Sequence, residues 1–343
     1  MPQQSPSGSE LPDPRTLLRE ISDYARPVTA RSLFELAVTA VPFALLLVLM
    51  WVAVSAGWWL ALLLALPAGV LLVRLFMIQH DGGHGAFFHR RAANDWVGRA
   101  IGVLTLTPYD YWRRTHALHH ARNGNLDRRG IGDVETLTVR EFEALSWRRR
   151  LLYRLYRHPV VMFGLGPAWV FLLQHRLPVG FMREGWRPWL SAMATNAAVA
   201  ALAAAIIWHI GLAAFLLIHL PVMLVAATIG VWLFYVQHQF EDAHWDRDGN
   251  WSFHDAALHG SSHYDLPGVL RWLTANIGIH HVHHLSSRIP SYRLSEVLRD
   301  RPELREVGRL TLWQSFRTVS LALWDENRRR LVSFRQARAL RQA

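Results

Sequence analysis

Four long apolar runs are set in an otherwise polar chain. Leu33 to Val54 is uncharged apart from Glu35, and Trp58 to Ile78 is interrupted only by Arg74. Leu190 to Ile210 and Leu212 to Val236 form a second pair. Each run reaches the ~20 residues that a helix needs to cross a bilayer core. Ser55, Ala56 and Gly57 separate the first two runs and Gly211 the second two, so the pattern predicts two helical hairpins. Arg74 lies near one end of its run, where a long side chain can snorkel to the interface. Two shorter apolar stretches, Val97–Pro108 and Pro159–Leu173, fall below spanning length and read as surface-lying or re-entrant pieces. Residues 1–25 carry Pro2, Pro12 and Pro14 and lack the basic-then-apolar pattern of a cleaved signal peptide. They read as a mobile tail.

Composition narrows the class. Of 343 residues 51% are hydrophobic and 18% charged. The absence of cysteine excludes disulfides, thiolate-held iron–sulfur clusters or haem, and cysteine nucleophiles. The sixteen tryptophans suit membrane interfaces. All 37 basic residues are arginine, and the formal net charge is +11. Four arginines lie in 1–32, seventeen in 79–189 and fifteen in 237–343, with none in the hairpin turns. Four spans put every arginine-bearing segment on one face, which the positive-inside rule makes cytoplasmic together with both termini. The expectation is an all-α, multi-pass membrane protein, in the inner membrane if the cell is bacterial. Its membrane domain covers 33–325, with spans at about 33–54, 58–78, 190–210 and 212–236. A helical cytoplasmic cap is built from 79–189 and 237–325, and 326–343 is a basic tail. The basic face suits retention on that side, anionic membrane lipids and an acidic protein partner; nothing points to nucleic acid.

The nineteen histidines are in excess, and their spacing is ordered. His80 and His84 close the second run at i, i+4. His116, His119 and His120 form an HxxHH group, and His280, His283 and His284 repeat it. His238 ends the fourth run. Spacings of three and four place imidazoles on one helical face, and the topology brings all nine to one membrane face. Clustered imidazoles suit iron, zinc, copper or nickel, and nine exceed the needs of one ion. A dimetal site follows. Glu241-x-x-His244 occurs once and HExxH not at all, which disfavours the carboxylate di-iron bundle and the common zinc hydrolase. The donors leave iron and zinc both open. Asp81 beside His80, and Asn276 one turn before His280, are candidates to hydrogen-bond ligand rings from behind. His281 lies about 100° round the helix from His280 and is read as a non-ligand. His244 lacks box spacing and is read likewise. Rival readings are binding of lipid phosphates, a zinc lipid hydrolase, and a metal transporter or sensor. The last would need polar residues inside the spans, and these are nearly absent.

The stretches QHDGGHGAFF at 79–88, THALHHARNGNLDRRGIGDVETLT at 115–138, VQHQFEDAHW at 236–245 and YDLPGVLRWLTANIGIHHVHHLSSRIPSYRL at 264–294 resemble the integral-membrane fatty acid desaturases. Among these the nearest are the bacterial acyl-lipid type that includes omega-6 (delta-12) enzymes. The resemblance runs from about residue 35 to about 300. It implies a non-haem di-iron centre, O2 as co-substrate and insertion of a cis double bond into a fatty acyl chain. The acyl chain is carried on a lipid, coenzyme A or an acyl carrier. The resemblance places ligands on His80 and His84, on His116, His119 and His120, on His280, His283 and His284, and on His238. Animal acyl-CoA desaturases have an asparagine where this chain has Phe234, so Gln237 or a water is the candidate to take that place. No His-Pro-Gly-Gly haem motif is present, which implies a separate ferredoxin or cytochrome b5-like electron donor. A hydroxylase or ketolase of lipids, carotenoids or alkanes on the same scaffold is the alternative outcome. An apolar tunnel for the acyl chain is expected between the ends of the second and fourth spans and the cap.

Overall fold

The computed structural model describes residues 13–340. Four helices are long and apolar enough to cross a membrane: Thr29–Ser55, Trp59–His84, Trp186–Ile210 and Leu212–His238. Gly57 and Gly211, both at positive φ, turn the two hairpins. The spans outrun the apolar pattern at their cap ends. The second opens as a 3-10 turn, Trp59–Leu64, continues as the helix Ala65–His84 and stops at Gly85 in the left-handed region. Box one is therefore the last turns of a membrane helix, and His238 is the last residue of another. The hydropathy boundary fell short because the polar ends are buried under the cap instead of facing water. Second and fourth spans pack closely at Gly69, where a Cβ would meet the Val225 side chain at 2.5 Å. Leu33, Val41, Leu45, Leu60 and Trp208 stay exposed on the outer faces, as lipid contact requires.

Arg74 does not snorkel. It is buried, its Nη2 pairs with Glu35 of the first span, and its Nε donates to Thr39 Oγ1 at 3.0 Å. The guanidinium also lies 4.1 Å from the Trp272 ring centre. A carboxylate and a hydroxyl on the neighbouring helix replace the water that snorkelling would seek.

Both shorter apolar stretches pack beside the spans. Arg91–Leu104 is an amphipathic helix with Trp96 exposed. Val161–Leu165 forms a π turn that leads into the helix Gly166–Leu172, and Thr228 of the fourth span donates to the Phe163 carbonyl at 2.9 Å. The cap carries the helices Tyr109–Arg122 and His280–Leu285 with boxes two and three. It also holds two small sheets in a chain that is otherwise helical. The strands are β1 (Leu137–Thr138), β2 (His263–Asp265), β3 (Arg309–Thr311), β4 (Leu321–Asp325) and β5 (Arg330–Ser333). One sheet runs β1-β4-β5, with β1 parallel and β5 antiparallel to β4, and the other pairs β2 and β3 in parallel.

Both tails depart from expectation. Pro14–Glu20 is a helix capped by Asp13, and Leu17 and Ile21 are fully buried against a layer that includes Val282, Leu285 and Ile289. The rest of the segment read as a mobile tail, residues 1–12, lies outside the described residues. At the other end β5 and the helix Phe334–Leu340 pack on β4, so 326–340 belongs to the cap. Two apolar residues one turn apart, or a strand of four, are too short to register as a pattern but are enough to anchor a segment on an existing core.

Candidate metal centre

Each histidine group is placed by an element whose local sequence explains it. The i, i+4 pair His80 and His84 projects from the last turns of the second span. His116, His119 and His120 occupy one face of Tyr109–Arg122. His280, His283 and His284 lie on the short helix that follows Asn276, a residue at φ +58 that helps turn the chain. The structure brings all nine expected side chains together, and it sorts them. His80, His84, His116, His120 and His283 form one group, and His119, His238, His280 and His284 a second; within each, the possible ligand atoms lie within 4.8 Å of one another. Each HxxHH box is divided between the two groups: neighbouring imidazoles on one helix point about 100° apart, and a different set of partner histidines lies on each side.

The Nε2 atoms approach end to end. His84 and His120 each come within 3.1 Å of His116, and His283 within 3.2 Å of His120. In the second group, His119 and His280 lie 3.1 and 3.0 Å from His238, and His284 lies 3.1 Å from His280. Two imidazole nitrogens bound at about 2.1 Å and a right angle to one ion stand about 3.0 Å apart, so the spacing fits a shared cation in each group. Contacts behind the rings fix the tautomer. His119 Nδ1 lies 2.5 Å from Asp133 Oδ1, and His238 Nδ1 donates to the Gly260 carbonyl at 3.4 Å. His80 Nδ1 has a longer contact, 3.4 Å, with Asp81. A proton held on Nδ1 leaves the Nε2 lone pair free for an ion. Burial, then the neighbouring imidazoles, pushes His116, His120, His280, His283 and His284 well below the ordinary histidine value. The chain itself thus keeps these rings neutral, the state that a metal needs.

The residues expected behind the rings divide. Asp81 touches His80 and also accepts from the Ser291 amide at 2.7 Å, tying box one to the chain after box three. Gln237 donates to the Ile277 carbonyl at 3.1 Å; it steadies the approach to His280 and does not take over the place held by Phe234. The Phe234 ring lies 5.0 Å from both His119 and His238. Asn276 bonds Ser291 and Ser295 at 3.0 and 2.7 Å, not a histidine, because its backbone turn aims the side chain away from box three. His281 stays apart from both groups: its Nε2 donates to the Leu304 carbonyl at 2.9 Å. His244 faces Asp246 at 3.0 Å. Two partners escaped the sequence reading. Asp133 follows box two by a loop that has no period. Trp112 stacks on His116 at 4.8 Å and 14°, and its i−4 spacing was a usable signal.

A cavity of about 460 Å³ opens on this centre. Leu72, Phe76 and Met77 of the second span, Met223, Ala226, Gly230 and Phe234 of the fourth, and Val161–Phe171 supply mostly apolar walls, with His80, His116 and His280 at the polar end. It lies where a tunnel was expected, and the Gly166–Leu172 side of its wall is an addition.

Four membrane helices, a cap and a paired histidine centre facing an apolar cavity define a membrane protein with a candidate dimetal site open to apolar ligands. The profile of the fatty acid desaturase family matches residues 56–316. The chain is 44% identical over 321 residues to a fatty acid desaturase of Bacillus subtilis, covering 94% of this chain and 91% of that one. It is 28% identical to the sn-1 oleoyl-lipid 12-desaturase of Synechocystis sp., covering 82% and 77%. It is also 28% identical to the sn-1 acyl-lipid omega-3 desaturase (ferredoxin) of the same organism, covering 76% and 73%. The chain belongs to the fatty acid desaturase family, O2-dependent oxidoreductases of lipid metabolism.

Proposed function

We propose that this protein is an acyl-lipid desaturase that holds two irons in its five- and four-histidine groups. It places a cis double bond in a membrane lipid's acyl chain, at the omega-6 (delta-12) position. The observation that carries this reading is the division of nine imidazoles, most of them buried, into two groups at the end of an apolar cavity. Two irons, when bound, supply the O2 chemistry that removes hydrogen from an unactivated methylene. In balance, two hydrogens leave neighbouring carbons, and O2 takes them with two further electrons and two protons to become two waters.

The chain's own work is positioning. The apolar walls exclude water and hold a chain that offers no polar handle at its middle. Asp133, Asp81 and the Gly260 carbonyl hold the rings behind the metals. Distant relatives that act on sn-1 oleoyl-lipid at position 12 support the regiochemistry, and a ferredoxin-dependent one supports a ferredoxin donor meeting the arginine-rich cap. The charge bias supports a cytoplasmic cap. The test is expression in a host that makes only saturated and monounsaturated lipids, with metal analysis of the purified chain. About two irons per chain and new double bonds at one position are expected. Stoichiometric zinc with full activity, or an inserted hydroxyl or keto oxygen, would refute the reading.

A further inference from the structure

The polar atoms that line the cavity can be accounted for one by one. The Tyr111 hydroxyl donates to the Val179 carbonyl at 2.8 Å, and Thr115 donates to the Tyr111 carbonyl at 3.2 Å. Thr105 donates to Gln79 at 2.9 Å. The Tyr156 hydroxyl accepts from the Glu135 amide at 3.0 Å, while Gln237 and Asp133 are used as described above. Apart from the metal-centre histidines, three cavity-lining side chains make no side-chain hydrogen bond among the described residues: Trp112, which stacks on His116, and the neighbours Gln174 and His175. His175 Nδ1 is buried without a partner. Polar side chains in native proteins nearly always find partners, so two neighbouring ones left without a protein partner in the wall of an apolar cavity suit a polar group on its occupant.

The pair is held rather than loose. Gln174–Arg176 is a 3-10 turn after Gly166–Leu172. Arg176 pins it by donating to the Leu106 carbonyl and, at 2.8 Å, to Asn196. The His175 ring packs edge-on against Phe171 at 5.1 Å and Tyr111 at 6.5 Å. Exposed Trp169 and Trp186 flank the turn in sequence, the residue type that marks the headgroup level of a bilayer. The same cavity is walled by Val73, Phe76, Val170 and Phe171 and also reaches His80, His116 and His280.

We propose that Gln174 and His175 form the subsite for the carbonyl end of the acyl chain, the ester group of the lipid. The distance from this turn to the metal centre then sets the bond position, which is counted from the carbonyl and not from the methyl end. The proposal rests on the desaturase reading above and adds the end of the substrate that is recognised. Gln174 offers an amide donor to the ester carbonyl, and the His175 ring closes the same pocket. The apolar chain continues along Phe171 and Phe76 toward His80.

The test expresses wild type, Gln174→Leu, His175→Phe, the double variant and His175→Asn in a host whose lipids carry two acyl lengths. Bond positions and metal content are read for each. Wild type should place the bond at one carbon counted from the carbonyl in both lengths. Gln174→Leu and His175→Phe should each spread the bond over neighbouring positions and slow conversion about 3–10-fold, the worth of one hydrogen bond, with metal content unchanged. His175→Asn should restore the single position. Phenylalanine keeps the packing on Phe171 and Tyr111. Gln174→Leu alters only one half-buried amide, so it decides the matter if the double variant does not accumulate. A constant count from the methyl end, or wild-type positions and rates in both single variants, would overturn the subsite. No unsaturation from wild type would instead refute the desaturase reading itself.

Discussion

Asp133 provides the sharpest test of the paired centre, because it touches one group only. Its Oδ1 lies 2.5 Å from His119 Nδ1, and its Oδ2 accepts from the Gly130 amide at 3.3 Å. The carboxylate makes His119 a better donor at Nε2 and stops its ring from rotating. Losing such a partner costs about 10–100-fold in metal affinity, or about 1.4–2.8 kcal/mol at about 1.4 kcal/mol per tenfold. His119 belongs to the four-histidine group, so the whole loss in Asp133→Ala falls on that ion. The five-histidine group keeps its own donors and its contact with Asp81. Purified protein in detergent would be titrated with a chelator, with bound metal counted at each step. Wild type should hold about two ions over most of the titration. Asp133→Ala should release one ion at a 10–100-fold lower chelator activity, leaving a plateau near one ion per chain, and Asp133→Asn should fall between. Two ions held as tightly as in wild type would refute the orienting role. Joint loss of both without a plateau would refute the division into two groups.

His238→Ala should abolish desaturation and lower bound iron, while His244→Ala leaves both near wild type. His281→Ala should keep its iron but lose about 1–3 kcal/mol of stability through the orphaned Leu304 carbonyl, read by thermal unfolding in detergent. Iron loss in His281→Ala as severe as in His283→Ala would overturn the assignment. Glu35→Ala leaves the Arg74 guanidinium buried with Thr39 and Trp272 alone and should cost about 3–5 kcal/mol; Glu35→Ala with Arg74→Leu should recover most of it, and a neutral single variant would contradict the buried pair. A Cβ at Gly230 meets nothing within 4 Å and faces the cavity; Gly230→Leu should keep the metal and cut acyl conversion at least about tenfold, an effect measured by lipid analysis and refuted by wild-type conversion, while the helix itself gains by losing a glycine. Because burial holds His116, His120, His283 and His284 well below the usual 6.5, the folded chain resists protonation that the unfolded chain accepts. Stability of the metal-free protein should therefore be full above pH 6.5 and fall as pH drops below it, with metal release from the holoprotein well on the acid side of 6.5. Release centred at or above 6.5 would contradict the burial.

Much of this molecule was legible in one dimension. Span length, the glycine turns and the i, i+3, i+4 histidine spacings are properties of a helix, whose geometry repeats over a few residues. They sufficed for four membrane helices, for nine histidines at one face and for two non-members, His244 and His281. What the chain alone did not reveal depends on contacts between residues far apart. The division of each HxxHH box between two groups is set by which partner helix faces each side of the box. Asp133 reaches His119 through a loop without period, and Asn276 turns away because its own backbone adopts positive φ. Arg74 looked like a snorkelling residue only until Glu35, 39 positions earlier, was placed beside it. The helix at Pro14–Glu20 and the strand Arg330–Ser333 were invisible because short segments owe their order to a core supplied by others. The orphaned His175 was one histidine among nineteen until the fold put it in the wall of an apolar cavity. Periodicity fixes which way a side chain faces on its own helix, and only packing fixes what it faces.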